Sequence, residues 1–290
     1  MRLSKQVGLD PTVQPHSVRD VMELKNPGVS ENPSLPRVGQ FSIAPIKSFG
    51  LVHPTKIKLN ISGVAEDRRF FLIDDDDRLI DALVFGPLMQ IGTWTNSNAT
   101  FLRLTFPGGF LVEGDVHTTN PIVITMYRRI VHGHIVDGPW ATALEPFVGR
   151  HLRLVKVDRP GELSREYTVT LVSDGSLAEL GYNMGTDPVD GRRFRMLIEL
   201  HGAYAHEEDS WIGRRISLGK YVILRIKGSL PRCAKITMNP DSGVRDLDIL
   251  RAIRKYRGLR GGRYLDFGVY GEVEVAGRVQ LGDDVRLLNE

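Results

Sequence analysis

The sequence predicts a mainly β protein with a few helices (α+β), built on barrel-type sheets with the helices packed outside. Three observations lead there. From Val38 onward, apolar residues gather in short runs rich in β-branched and aromatic side chains, separated by turn residues. Helical periodicity surfaces in only about three windows. A chain of 290 residues, 41% hydrophobic and 25% charged, builds its core from packing alone.

The elements follow in order. Residues 1–36 read as an arm, disordered or hugging an edge, with five prolines, no sustained periodicity and one short helical window at SVRDVMEL. Strands are predicted at VGQFSIAPI, TKIKLNISG, RRFFLI and DRLIDALVF, with the acidic run at 74–77 as a hairpin turn. ATFLRLTF, GFLVEG, PIVITMY and RIVHGHIV continue the pattern. GPWATALEPFVG is predicted helical, because Pro139 stands near its start and Gly149 just past its end. HLRLVKV returns to strand. The polar stretch 158–167, with its Pro-Gly pair, is a loop and a candidate boundary. Beyond it come a strand at TVTLV, a helix at DGSLAELGYN capped by Ser173 or Asp174, and strands at RRFRMLIEL, YVILRI and AKIT. RDLDILRAIRKYRG places Leu247, Leu250, Ile253 and Tyr256 on one helical face. The chain closes as strand–turn–strand. The division this implies is an arm over 1–36, a first barrel domain over 37–160 and a second over 161–290, with segments able to interleave.

Composition excludes several classes. A net charge of +3 and the lack of interleaved stacking aromatics argue against a nucleic-acid binder. No window carries 18 consecutive apolar residues, so no membrane span is expected, and the N-terminus lacks a signal-peptide run. One cysteine rules out an internal disulfide, a four-cysteine zinc site or an iron–sulfur cluster built by this chain alone. A reducing compartment, the cytoplasm by default, follows. His132 and His134 share a strand face but lack a third ligand, and HGAYAHEEDSW is not H-E-x-x-H; both read as surface.

The remaining feature is Cys233, in GSLPRCAKIT. A lone cysteine is commonly a small buried hydrophobe. Here Arg232 precedes it and, if AKIT is a strand, Lys235 shares its face. Cations beside a thiol favour thiolate, the form that binds soft metals or carries a persulfide sulfur. The residues alone leave filler and reactive thiol about even.

LPRCAKITMNPDSGVRD resembles the cysteine motif of MOSC (molybdenum cofactor sulfurase C-terminal) domains, in which Arg-Cys and a short strand precede Asp-Pro-Asp-x-Gly; here Asn239-Pro240-Asp241-Ser242-Gly243 fills the last part. The helix ending IRKYRG and the closing DFGVYGEVEVAGRVQLGDDVRLL are similar to later motifs of the family. FSIAPIKSFG, GVAEDRRFFLIDDDDRLID and HEEDSWIGRRISLG resemble the barrel domain that precedes many MOSC domains and the segment that follows it. The likeness runs from about residue 38 to 288 and is nearest to the amidoxime-reducing component group.

The resemblance implies two facing barrel domains, of MOSC N-terminal and MOSC type, with a molybdenum cofactor (Mo-molybdopterin) between them. It makes Cys233 the molybdenum ligand and catalytic residue, with Tyr270 near the metal. Lys47 and Ser48 fill the family's K-S pair, Arg68 its D-R arginine and Arg195 the arginine of R-P-N. Ser173 and Ser176, at a helix start whose free N–H groups suit an anion, join Arg232 as further cofactor candidates. Two positions depart from the pattern: R-P-N reads Arg195-Met196-Leu197, and D-L-N reads Glu179-Leu180-Gly181. The implied activity is reduction of an N-hydroxylated small molecule. Its electrons come from a separate ferredoxin- or cytochrome-like donor, since the chain shows no dinucleotide fingerprint. Two alternatives are a sulfur carrier using a Cys233 persulfide and a non-enzymatic carrier of molybdenum cofactor.

Overall fold

Seven strands form the largest sheet, in spatial order Arg37–Phe41, Ile198–His201, Val169–Ser173, Asp266–Val275, Val222–Pro231, Arg215–Leu218 and Val285–Leu287. They belong to a computed structural model that describes residues 35–164 and 167–289, so most of the N-terminal arm and its helical window lie outside the described residues. One pairing is parallel, Val169–Ser173 with Ile198–His201, and the chain crosses between those strands through helix α2 (Asp174–Met184). The two edge strands meet. Val38 N donates to Asp283 O at 2.9 Å and Val285 N donates to Pro36 O at 2.7 Å. The sheet thus closes nearly into a barrel and hides its edges. Phe41, Leu59, Ile198, Leu200, Leu224 and Val269 are among the residues that fill it.

A second layer holds a five-stranded sheet, in order Leu79–Ile80, Phe70–Ile73, Arg153–Val157, Arg129–Asp137 and His117–Met126, and a three-stranded sheet of Gly92–Thr95, Phe101–Thr105 and Leu111–Asp115. Helix α1 (Pro139–Val148) packs Trp140 and Leu144 among Phe70, Leu72, Leu102 and Leu104. Its expected ends are present: proline in the first turn and Gly149 in the left-handed conformation at φ 77°. Helix α3 (Ile249–Arg257) buries Ile249 and Ile253 beside α2, and Leu247, Leu250 and Tyr256 pack around them. Ile249 extends the face read from the sequence. Strand pairing crosses residue 160 where Arg37–Phe41 joins Ile198–His201 and where Lys56–Asn60 joins Gly277–Gln280.

Three predicted strands differ. In RRFRMLIEL only Ile198–His201 is strand; Gly191–Phe194 is a 3-10 turn capped by Asp190, whose carboxylate accepts from Arg192 N at 2.9 Å. In DRLIDALVF only Leu79–Ile80 pairs, because Val84 N and Phe85 N bond back to Asp81 O and turn the chain. AKIT is a 3-10 turn with Cys233 at its N-cap, so Lys235 does not share a strand face with the thiol. Pro231 ends the preceding ladder against Asp266, and Thr237 Oγ1 donates to Ala234 O at 2.7 Å to hold the turn.

The Asn239–Gly243 turn meets the 3-10 segment Gly86–Gln90 at two glycines. Gly243 sits at φ 70°, and a Cβ there would lie 2.0 Å from Gly86 O. Gly243→Ala is therefore expected to cost about 2 kcal/mol or more, measured by urea unfolding. Gly282→Ala is the control: φ is 83° but no atom lies within 4 Å, so only the backbone cost remains.

Candidate functional site

A cleft of about 380 Å³ opens where the turn after Pro231 faces the loop around Lys47. Cys233 lies on its wall and is exposed. That separates it from a core filler: the turn at Ala234–Thr237 carries the thiol outward while Ile236 takes the buried position.

Lys47, Ser48, Arg68, Arg195 and Arg232, all expected at the site, line the same cleft. Four lining residues, Ser48, Arg68, Tyr127 and Arg195, hold left-handed backbone at φ 73°, 50°, 50° and 53°. Non-glycine residues in that region persist where surrounding structure compels them, and they cluster at ligand sites.

The electrostatics are lopsided. Lys47, Arg68, Arg195, Arg232 and Lys235 face the cleft, and the carboxylates beside them are Asp67, bonded to Arg68, and Asp81, bonded to Lys235 at 3.0 Å. Burial, then the nearby Lys235 and Arg68, brings Lys47 down to about 7. Burial and Arg68 bring Arg195 to about 9, partly opposed by Asp67. Burial brings Arg232 to about 10, against the pull of Cys233. Arg195 donates to Phe49 O at 2.6 Å, and Arg232 donates to Phe194 O and lies over the Phe194 ring. Arg232 Nε and Arg193 Nε are buried without a hydrogen-bond partner. Such a group of crowded, desolvated cations suits an anion.

Asp81 is a site residue that sequence reasoning missed. It is buried and accepts from Lys235 Nζ, from Tyr127 Oη at 2.9 Å and from Leu83 N at 2.9 Å. Burial opposes its charge, but Lys235, Tyr127 and Leu83 outweigh that and hold its carboxyl below the usual range. Lys235 also donates to Ser48 Oγ at 2.9 Å, so this pair ties the cysteine turn to the Lys47 loop. Arg193, also missed, makes two bonds to Asp246 at 2.7 and 2.8 Å. The sequence signal for it was the arginine cluster itself; Asp81 had none beyond being an acid at an apolar hairpin end.

Ser173, Ser176 and Tyr270 do not line the cleft. The serines are fully buried at the start of α2, where Ser173 caps Ser176 N at 3.1 Å and both hydroxyls donate to Glu208 at 2.8 Å. The anion at this helix start is thus the protein's own carboxylate. Burial raises the Glu208 pKa, against the hydrogen bonds from Ser176 and Ser173. Tyr270 stands one ring back, its centroid 4.6 Å from that of Tyr167, which does line the cleft. The two departures are packing positions. Leu197 is buried in the barrel core, and a Cβ at Gly181 would lie 2.3 Å from Asp187 O.

Among the described residues no group of three His, Cys, Asp or Glu is placed to hold a metal ion, and no helix is long and apolar enough to cross a membrane. A lone thiol in a cationic cleft fits a metal that arrives with its own sulfur ligands and an anionic tail.

Residues 147–286, which carry the cysteine turn and most of the barrel strands, match the MOSC domain family model. The chain is 25% identical over 289 residues to human "Mitochondrial amidoxime-reducing component 1", covering 87% of this chain and 83% of that one. It is 33% identical over 124 residues to bovine "Mitochondrial amidoxime reducing component 2", covering 40% and 36%. It is also 24% identical over 271 residues to "Molybdenum cofactor sulfurase" of Caenorhabditis briggsae, covering 88% of this chain and 36% of that protein.

Proposed function

We propose that the protein is a molybdenum-cofactor enzyme that reduces N–O bonds in N-hydroxylated small molecules. One observation carries this reading: the exposed Cys233 thiol and an excess of buried and half-buried cations share one cleft. The relatives named for amidoxime reduction support the choice of substrate class.

The cofactor, when bound, supplies the two-electron couple. Cys233 would hold the metal as thiolate, and Lys47, Arg68, Arg195 and Arg232 would bind the anionic tail. Leu83, Met126 and Tyr127 give the cleft an apolar side for the substrate body. The balance is R–N–OH plus two electrons and two protons giving R–N–H and water. The electrons come from a ferredoxin- or cytochrome-like protein. Arg254, Lys255 and Arg263 offer an exposed basic surface for an acidic donor, while Arg257 and Arg260 are bonded to Asp209 and Asp266. The lone cysteine favours a reducing compartment, the cytoplasm. Ser173 and Ser176 enter only by positioning α2.

Metal analysis of protein made in a cofactor-competent host tests this: about one molybdenum per chain with N-hydroxyamidine reduction supports it. An added sulfur on Cys233 in the intact mass, with no molybdenum, would instead favour the persulfide carrier, a reading the sulfurase relative keeps open.

A pH effect follows from Lys47. Its ammonium is present below about 7 and lost above. Sulfate keeps its charge over this range, so its affinity for the cofactor-free cleft is expected to fall at least about fivefold between pH 6 and 8.5. Lys47→Met should flatten the profile in a calorimetric titration.

A further inference from the structure

We propose that the protein has a second small-molecule site, on the far side of the wall that carries Lys47 and Arg68, and that it takes a flat apolar molecule bearing an anionic group. The site is a groove of about 570 Å³ that shares no lining residue with the cysteine cleft. Residues two apart face opposite sides of the wall: Pro45 and Glu66 line the groove, Lys47 and Arg68 the cleft.

Its surface has two chemistries. Ile43, Val52, Pro45 and Pro54 give an apolar lining, and Trp94, 46% exposed, adds a broad flat ring. Arg103 lies 5.9 Å over that ring and Phe101 stands edge-on at 6.0 Å, contacts that reduce the side-chain freedom to be lost on binding. Lys56, Lys58 and Arg278 supply charge. The two lysines alternate on the exposed face of one strand, and Arg278 lies opposite Lys58 on the next. All three are exposed, and none has a carboxylate partner among the described residues; Glu66 is the only acid lining the groove. Three cations at an apolar, aromatic concavity of this size match a small ligand better than water alone. Pro45 and Pro54 have no N–H to give a peptide backbone, which favours a small molecule over an extended chain.

The test is a fluorescence titration of the purified protein, with its cofactor as isolated, using 8-anilinonaphthalene-1-sulfonate, a flat aromatic anion. Binding to the wild type is expected to be at least about tenfold tighter than to either Trp94→Ala or the exposed double variant Lys56→Glu/Lys58→Glu. The neutral analogue N-phenyl-1-naphthylamine should bind at least about tenfold more weakly to the wild type. Arg68→Gln, in the other cleft, should leave the affinity within about twofold. Equal binding by the lysine double variant, or loss in Arg68→Gln alone, would overturn the proposal. Thermal melts check that each variant is folded. The proposal does not depend on the molybdenum reading, and neither result bears on the other.

Discussion

Protein carrying Cys233→Ser is expected to keep its fold and lose its chemistry. N-hydroxyamidine reduction with an artificial electron donor should fall at least about a hundredfold, and molybdenum content to less than about a tenth. A serine hydroxyl is not ionised at neutral pH, whereas a thiol beside cations readily becomes thiolate, so serine is a much poorer anionic ligand. Because Cys233 is exposed, the substitution removes no buried packing, and with both proteins cofactor-free the melting midpoint should stay within about 2 °C of the wild type. That combination discriminates. A structural cysteine would shift the midpoint and spare turnover, whereas full reduction by the serine variant would remove the thiol from the reaction.

The second large effect concerns Asp81. Asp81→Ala leaves the largely buried Lys235 without its counter-charge and removes the acceptor that Tyr127 Oη and Leu83 N share. Breaking a buried pair from one side costs about 3 kcal/mol or more, read as a lower urea midpoint. The double change Asp81→Leu/Lys235→Met removes both charges together and should recover most of that loss. Strict additivity of the two single changes would show that the pair does not couple.

Elements marked by local residues were legible. Pro139 and Gly149 bracket α1, the acidic run at 74–77 turns a hairpin, and Ser173 caps α2. The strands that failed gave way to turns, and two of those turns carry residues with distant partners. Arg195 and Cys233 flank 3-10 turns: Arg195 donates to Phe49 O, and Lys235 reaches Asp81 and Ser48. Residue periodicity carries no information about such contacts. The serines meet the same limit: the helix start was read as suited to an anion, and there Glu208, 32 residues on from Ser176, accepts from both hydroxyls.

By itself the sequence determined a mainly β chain with few helices, one cysteine beside an arginine, and ordered motifs naming the family. The fold class depends on short-range sterics, capping and composition, which neighbouring residues carry, and the family on the resemblance of the motifs. Only the tertiary structure decided that Cys233 is exposed, that Lys47, Arg68, Arg195 and Arg232 converge on it, that Ser173 and Ser176 are buried, and that Asp81 anchors the turn. Those outcomes follow from desolvation and charge pairing between segments far apart in the chain, and their strength is set by burial that exists only once the sheets have closed.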